Sequence, residues 1–536
     1  MDKQFEGKDW FDLSEGTGKL VRGAAILTAA GLISRVMGFV AKVIISRILG
    51  SEGMGLFSMS YSIYVFLLVI SRSGIPVALA KLVSERLALG EEDDAFEIFR
   101  VARLLSLIFG LIFSILMIIV ARPFISWRNL DPRSYLAVVG IAPAIFFVSL
   151  IAVFRGFFQG WQNMKPTALS QVVEQLIRIM TMILLVLLLI PMGLEYGALG
   201  AAFGAVTGAI AGLLVLLRIY YKQKVNLSFK KLLPGRKERF WEISKRIFDL
   251  GWPVTFAALV YPLMRFVDLA IVPERLEVAG FSNSTALFGN LDMAMTLVNF
   301  PTIFTVALAA SLVPAISESY SLARGQEIFR KTTTAIKMTL LIGLPAGLGL
   351  LILAKPLAMV IFAIPEVAAP LQVLAFGVLF ISLQQTTSAI LQGMGKTLIP
   401  ARNLFLGAVL NGIINYTLTA LPQFGIRGAA LGTITGFFIA ASLNMITIVR
   451  SIEGRLAWPR IAGMPLLASL IMAGVVYGIH SIFLSIMSEL LAAPLAVLVG
   501  VIVYGLQILL MGLLTPAELR NIPIAGKYLV RFSTRK

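Results

Sequence analysis

Fourteen apolar stretches dominate this sequence, each about 20 residues or longer and able to cross the roughly 30 Å hydrocarbon core of a bilayer as a helix. They run at 23–49, 54–80, 98–121, 134–155, 166–190, 195–220, 247–273, 285–317, 332–354, 367–391, 399–421, 425–449, 461–486 and 489–513. Lipid offers no hydrogen-bond partner to bare backbone, and segments of this length suit helices rather than barrel strands. The chain is therefore expected to be an all-α polytopic membrane protein. Composition agrees, with 58% hydrophobic and 14% charged residues among 536, a balance outside that of soluble globules. The first 19 residues mix acids with bases and lack the pattern of a secretory signal, so the amino terminus is expected in the cytoplasm.

The formal charge of +18 invites a nucleic-acid reading, but basic residues gather on the cytoplasmic side of membrane proteins. With the amino terminus inside, cytoplasmic segments hold 34 of the 46 Lys and Arg, ten of them from Arg218 to Arg246. External segments hold six: Arg122, Arg128, Arg133, Arg275, Lys355 and Arg427. This asymmetry places both termini in the cytoplasm and makes nucleic acid unnecessary as a partner. The absence of cysteine and the single histidine, His480, exclude disulfides, thiolate metal sites, histidine clusters and histidine triads. Gly395, Lys396 and Thr397 imitate the end of a phosphate loop, but Ile390 stands where its first glycine is required. No nucleotide, metal or resident cofactor is expected. The acidic run 91–94 reads as a solvated loop, so the chain is not read as an enzyme.

An internal repeat organises the spans. GALGAAFGAVTG (197–208) and GIRGAALGTITG (425–436) share seven of twelve positions at an offset of 228. Gln159, Gly160 and Pro166 are echoed by Gln392, Gly393 and Pro400. Repeats six spans apart keep one orientation, which predicts two lobes related about the membrane normal with a site between them. The glycines of the repeat suit close helix packing better than ligand contact. The predicted layout is a tail over 1–22, a first lobe over 23–221, a basic linker over 222–246, a second lobe over 247–450, two further helices over 451–513 and a basic tail over 514–536. The linker reads as a topology anchor on anionic lipid.

Six cations remain, none of them in a loop: Arg35, Lys42, Arg47, Arg72, Arg178 and Arg265. At 1.5 Å per residue, Arg35 falls about 18 Å from the inner end of its span, Lys42 about 28 Å, Arg72 about 13 Å and Arg178 about 18 Å. Arg47 is close enough to the outer end to snorkel and reads as an anchor. A charge at the bilayer centre costs at least about 2.5–3.5 kcal/mol on insertion scales, so the remaining five should face a bundle interior or a watery cavity. Glu174 with Arg178, and Arg265 with Asp268, have the spacing of helical ion pairs, and each pair is either a packing bridge or part of a site. No carboxylate lies in the first span or within the second, so Arg35, Lys42 and Arg72 lack a local partner and are read as ligand contacts. SRSGIP (71–76) should break the second span at Gly74 and Pro76. Asn290, Asp292, Gln384, Gln385, Asn403, Asn411 and Asn415 suit interhelical hydrogen bonds, with Asp292, Asn411 and Gln384 kept as cavity or coupling candidates.

ILTAAGLISRVMGFVAKVIISRILGSEGMGLFSMSY (26–61) followed by GIPVALAKLVSE (74–85) resembles the stage V sporulation protein B group of polysaccharide transporters. That group lies in the multidrug/oligosaccharidyl-lipid/polysaccharide exporter superfamily, which includes the lipid II flippases. The resemblance implies a V-shaped pair of six-helix lobes with two extra helices, in a bacterial cytoplasmic membrane, flipping an undecaprenyl-pyrophosphate-linked glycan outward. It also implies cavity arginines at Arg35 and Arg72. A second arginine of the related first helix and its neighbouring carboxylate are here Ala41 and Lys42, and the related eighth-helix arginine has no counterpart near Asp292. The expected site is thus cationic: Arg35, Lys42, Arg72 and Arg265, with Glu174, Arg178, Asp268, Asp292, Asn411 and Gln384 around it. Expected partners are the lipid-linked glycan and membrane lipids, with the protein a monomer. The drive is Na⁺, H⁺ or the membrane potential, and the competing reading is a cation-coupled drug exporter of the same superfamily.

Overall fold

The computed structural model describes residues 13–224, 237–454, 456–514 and 518. Residues 1–12, the linker centre at 225–236 and nearly all of the carboxyl-terminal tail lie outside them. Among the described residues the chain is helical without strands. The first lobe comprises α1 (Leu13–Arg72), α2 (Ile75–Ala88), α3 (Glu92–Trp127), α4 (Ser134–Ile141), α5 (Pro143–Gly160), α6 (Lys165–Leu189) and α7 (Leu194–Lys224). The second comprises α8 (Lys237–Val278), α9 (Ser284–Ser321), α10 (Gly325–Ile352), α11 (Ala354–Leu357), α12 (Ala368–Leu374), α13 (Gly377–Gly393), α14 (Leu398–Leu418) and α15 (Ile426–Ser451). The helices α16 (Met464–Ile486) and α17 (Glu489–Leu510) pack on each other and on α10.

Among the described residues twelve helices are long and apolar enough to cross a membrane, or thirteen when the bent pair Pro365–Leu374 and Gly377–Gly393 counts as one span. The first of these, Ala25–Ala88, runs for 64 residues and contains a non-helical Gly50 (φ 65°, ψ −173°). At 1.5 Å per residue it is about 96 Å of helix, three times a hydrocarbon core, so it makes two crossings joined at Gly50. Among the described residues that makes fourteen crossings, as expected. The turn at Gly50 shares one face of the bundle with the 127–134 and 278–284 turns. Residues 88–92, 160–165, 321–325 and 393–398 turn on the opposite face, here called the linker face.

The break expected in the second crossing is present. Arg72 ends α1, Gly74 is left-handed (φ 63°) and Pro76 stands in the first turn of α2. A side chain at Gly74 would collide with the backbone of Gly251 in α8, so glycine here meets both a steric and a conformational demand. Near the Gly50 face the lobes meet through a symmetric crossing. A Cβ on Gly55 would strike the Thr285 carbonyl, and one on Gly289 would strike that of Ser51.

The seams α6–α7 and α14–α15 repeat one geometry in the two lobes. A Cβ on Gly204 would stand 2.7 Å from Cβ of Met182, and one on Gly428 would stand 2.7 Å from the Leu418 carbonyl carbon. These glycines serve close helix packing, as their spacing suggests.

Candidate functional site

A cavity of about 480 Å³ lies between α1 and the second lobe, within the roughly 300–1,000 Å³ range of small-molecule sites. Its α1 wall carries Arg35, Gly38, Phe39 and Lys42, a helical stripe two turns long. Opposite stand Asn299, Phe300 and Ile303 of α9 with Gln384 and Gln385 of α13. Phe39 and Phe300 close the seam there with ring centroids 4.6 Å apart. No Asp or Glu lines the cavity. Arg35 makes no hydrogen bond or ion pair among the described residues. Arg72, expected beside it, is not among the lining residues.

Lys42 has a partner that its own helix does not supply. Its Nζ lies 2.7 Å from Oδ2 of the buried Asp292 on α9, which also accepts a bond from Ser58 Oγ (2.6 Å). Oδ1 of the same carboxylate accepts from Arg265 (2.6 Å). One buried acid thus joins the two arms of α1 to α8 and α9. Of the two readings open for Arg265 and Asp268, the ion pair within the helix is not the one formed: packing of α8 against α9 points the guanidinium across to Asp292. Asp268 Oδ1 instead accepts from the amides of Asn411 (2.6 Å) and Asn415 (2.7 Å). Both amide oxygens of those asparagines are buried without a partner among the described residues.

The Glu174–Arg178 bridge, one of the two readings open for that pair, likewise gives way to another partner. Glu174 accepts from Arg155 at 2.7 Å, and Arg155 Nε donates to Ser170 at 3.0 Å. The Arg178 guanidinium sits over the Tyr61 ring, 5.7 Å from its centroid. Arg72 belongs to this group, with Arg155, Tyr64 and Glu174 close enough to act on it electrostatically. Arg155 escaped the sequence reading because it ends the predicted fourth span and counted as a surface residue; α5 continues through Gly160. Ser58 carried a legible signal, since it lies 234 residues from Asp292, the same offset that relates Pro166 to Pro400 in the repeat.

The remaining polar residues brace helices. Gln385 accepts from Thr305 (2.9 Å) and Asn403 donates to Asn444 (2.9 Å). Gln384 donates to Ser388 at 3.1 Å while facing the cavity.

Arg47 does not snorkel. Its Nε donates to the Ile361 carbonyl at 2.7 Å and its terminal nitrogen to that of Val360, both in the second lobe. Arg128 similarly donates to the Ala270 carbonyl (2.8 Å) and pairs with Glu274. In the 127–134 turn, Thr285 of the other lobe donates to Asp131 (3.2 Å). Burial raises the Asp131 carboxyl, but its bonds from Arg133 outweigh this and hold it below the usual range. These contacts shut the Gly50 face.

A family model described as "Polysaccharide biosynthesis protein" matches residues 20–320, more than half of the chain, and a MatE model matches residues 253–417. Stage V sporulation protein B of Bacillus subtilis (strain 168) is 29% identical over 524 residues, which is 95% of this chain and 99% of that protein. Lipid II flippase MurJ of the same strain is 27% identical over 463 residues, 81% of this chain and 83% of that one. A solved structure, "Lipid II flippase MurJ, inward closed conformation", is similar in fold with a TM-score of 0.70 at 16% identity, covering 91% of this chain and 98% of that chain.

Proposed function

The chain belongs to the polysaccharide biosynthesis protein family within the multidrug/oligosaccharidyl-lipid/polysaccharide exporter superfamily, and from that membership we propose that it flips an undecaprenyl-pyrophosphate-linked glycan. The preferred substrate is the peptidoglycan precursor lipid II. It travels from the inner to the outer leaflet of the bacterial cytoplasmic membrane, with the linker face and both termini in the cytoplasm. The observation that carries this reading is the charge of the cavity. Arg35 stands in it unpaired, and no acid lines it. A pyrophosphate is a concentrated anion suited to guanidinium and ammonium groups, whereas an exporter of cationic drugs would want a free carboxylate there. Asp292, the acid that meets the cavity's Lys42, is already held by Lys42 and Arg265.

Closure of the Gly50 face supports one half of an alternating-access cycle. With the cell interior negative, each negative charge carried outward gains up to about 2.3 kcal/mol per 100 mV. No ATP is required. Purified protein in liposomes should speed the arrival of fluorescent lipid II at the distal leaflet over protein-free vesicles. Export of a cationic dye with no acceleration of any lipid-linked glycan would favour the exporter instead.

The oxygens of Asp268, Asn411 and Asn415 are the donors we propose for a coupling cation, since two of the three side chains hold buried, unpartnered acceptors and oxygen donors suit hard cations. The cation would neutralise Asp268 and steady α8 against α14. Replacing Na⁺ by choline in the liposome assay should then slow flipping in the wild type and leave an Asp268→Asn variant insensitive.

A further inference from the structure

One group inside the first lobe brings three cations to one carboxylate. Between the second arm of α1 and the helices α5 and α6, Arg155 pairs with Glu174, and Arg72 and Arg178 lie within electrostatic reach of the same carboxylate. Glu174 is engaged by Arg155. Arg178 rests on an aromatic face, and Arg72 makes no hydrogen bond or ion pair among the described residues. All four are half-buried. None of the four lines the cavity that holds Arg35 and Lys42. Cations in a membrane lobe are costly unless water or an anion meets them, and packing does not explain this group, because a helix bundle is held as well by apolar side chains.

We infer that the first lobe holds a second anion site, in which Arg72, Arg155 and Arg178 bind a carboxylate or phosphate on the glycan head of the cargo. Glu174 is its resident counter-ion, which the incoming oxyanion displaces from Arg155. Guanidinium pairs carboxylate and phosphate bidentately, and the Tyr61 ring holds one fork of the site in place. The substrate class narrows accordingly: lipid-linked glycans with acidic heads are moved in preference to neutral ones. This rests on the transport reading above.

Two fluorescent polyprenyl-pyrophosphate disaccharides test it, alike except that one head carries a free carboxylate and the other its amide. The ratio of their flipping rates in liposomes isolates the head group from the pyrophosphate. Wild type should favour the acid, and Arg178→Gln should lower the acid-to-amide ratio about tenfold, the scale of one charged hydrogen bond. Arg178→Lys should keep part of the preference. Glu174→Gln should raise the ratio, a gain that a merely structural carboxylate would not produce. Arg35→Ala should slow both cargoes and leave the ratio unchanged. A ratio that stays at its wild-type value in both Arg178→Gln and Glu174→Gln overturns the proposal.

Calorimetric binding of the soluble, lipid-free acidic disaccharide to the detergent-purified protein separates the two readings. Binding that is weakened by Arg178→Gln, in a protein that flips neither cargo, supports the site and refutes transport. Flipping of both cargoes with no wild-type preference supports transport and refutes the site.

Discussion

Replacing Arg35 by alanine is expected to slow flipping of lipid-linked glycans by about ten- to a hundredfold while leaving the protein folded. The size follows from one lost hydrogen bond to a charged group, about 1.5–3 kcal/mol, at about 1.4 kcal/mol per tenfold. The selectivity follows from the structure. Arg35 faces the cavity and holds no other described residue in place, so its removal orphans nothing. The check is paired: flipping in liposomes and unfolding in detergent, on the same preparation. A wild-type rate in Arg35→Ala removes Arg35 from the transport path, and with it the observation on which the function was argued.

Asp292→Ala should do the opposite, striking stability first. The carboxylate is buried and answers Lys42, Arg265 and Ser58 together. Its loss leaves two cations in a low-dielectric seam, and breaking a buried pair from one side costs about 3–5 kcal/mol. Unfolding in denaturing detergent should shift by that order. Adding Lys42→Met to Asp292→Ala should recover part of the loss, because one of the two orphaned charges is then gone. An Asp292→Ala protein as stable as wild type would mean that water already solvates this group and that the knot contributes nothing.

The difference between these two positions marks how far sequence reasoning reaches. The spans, the repeat and the break at Gly74 were legible because each depends on features within a few turns of helix: apolar length, glycine spacing, a Gly-Pro pair. Partners were not. Lys42 meets an acid 250 residues away, and Arg265 prefers Asp292 on the next helix to Asp268 on its own turn, since the choice is made when α1, α8 and α9 pack together. Arg155 was hidden by a boundary error of five residues, enough to move a cation from a lobe interior to a surface. Arg47 shows the same limit from the other side. Its depth suited snorkelling, and only the second lobe's carbonyls reveal that it ties the lobes instead. Of the expected cation set, Arg35 and Lys42 share the cavity, while Arg72, placed there by its depth, its lack of a local carboxylate and the family resemblance, belongs with α5 and α6.

The shared carboxylate also bears on idle cycling. Lys42 belongs to one lobe, Arg265 and Asp292 to the other. Parting the seam would leave a balanced pair on one side and a lone ammonium on the other, so an empty carrier meets an electrostatic toll at the moment it would open. An anionic cargo already in place lifts that toll by taking over the ammonium. Tight stoichiometry between conformational turnover and glycan moved is the consequence: the protein resists slipping between its states when it has nothing to carry.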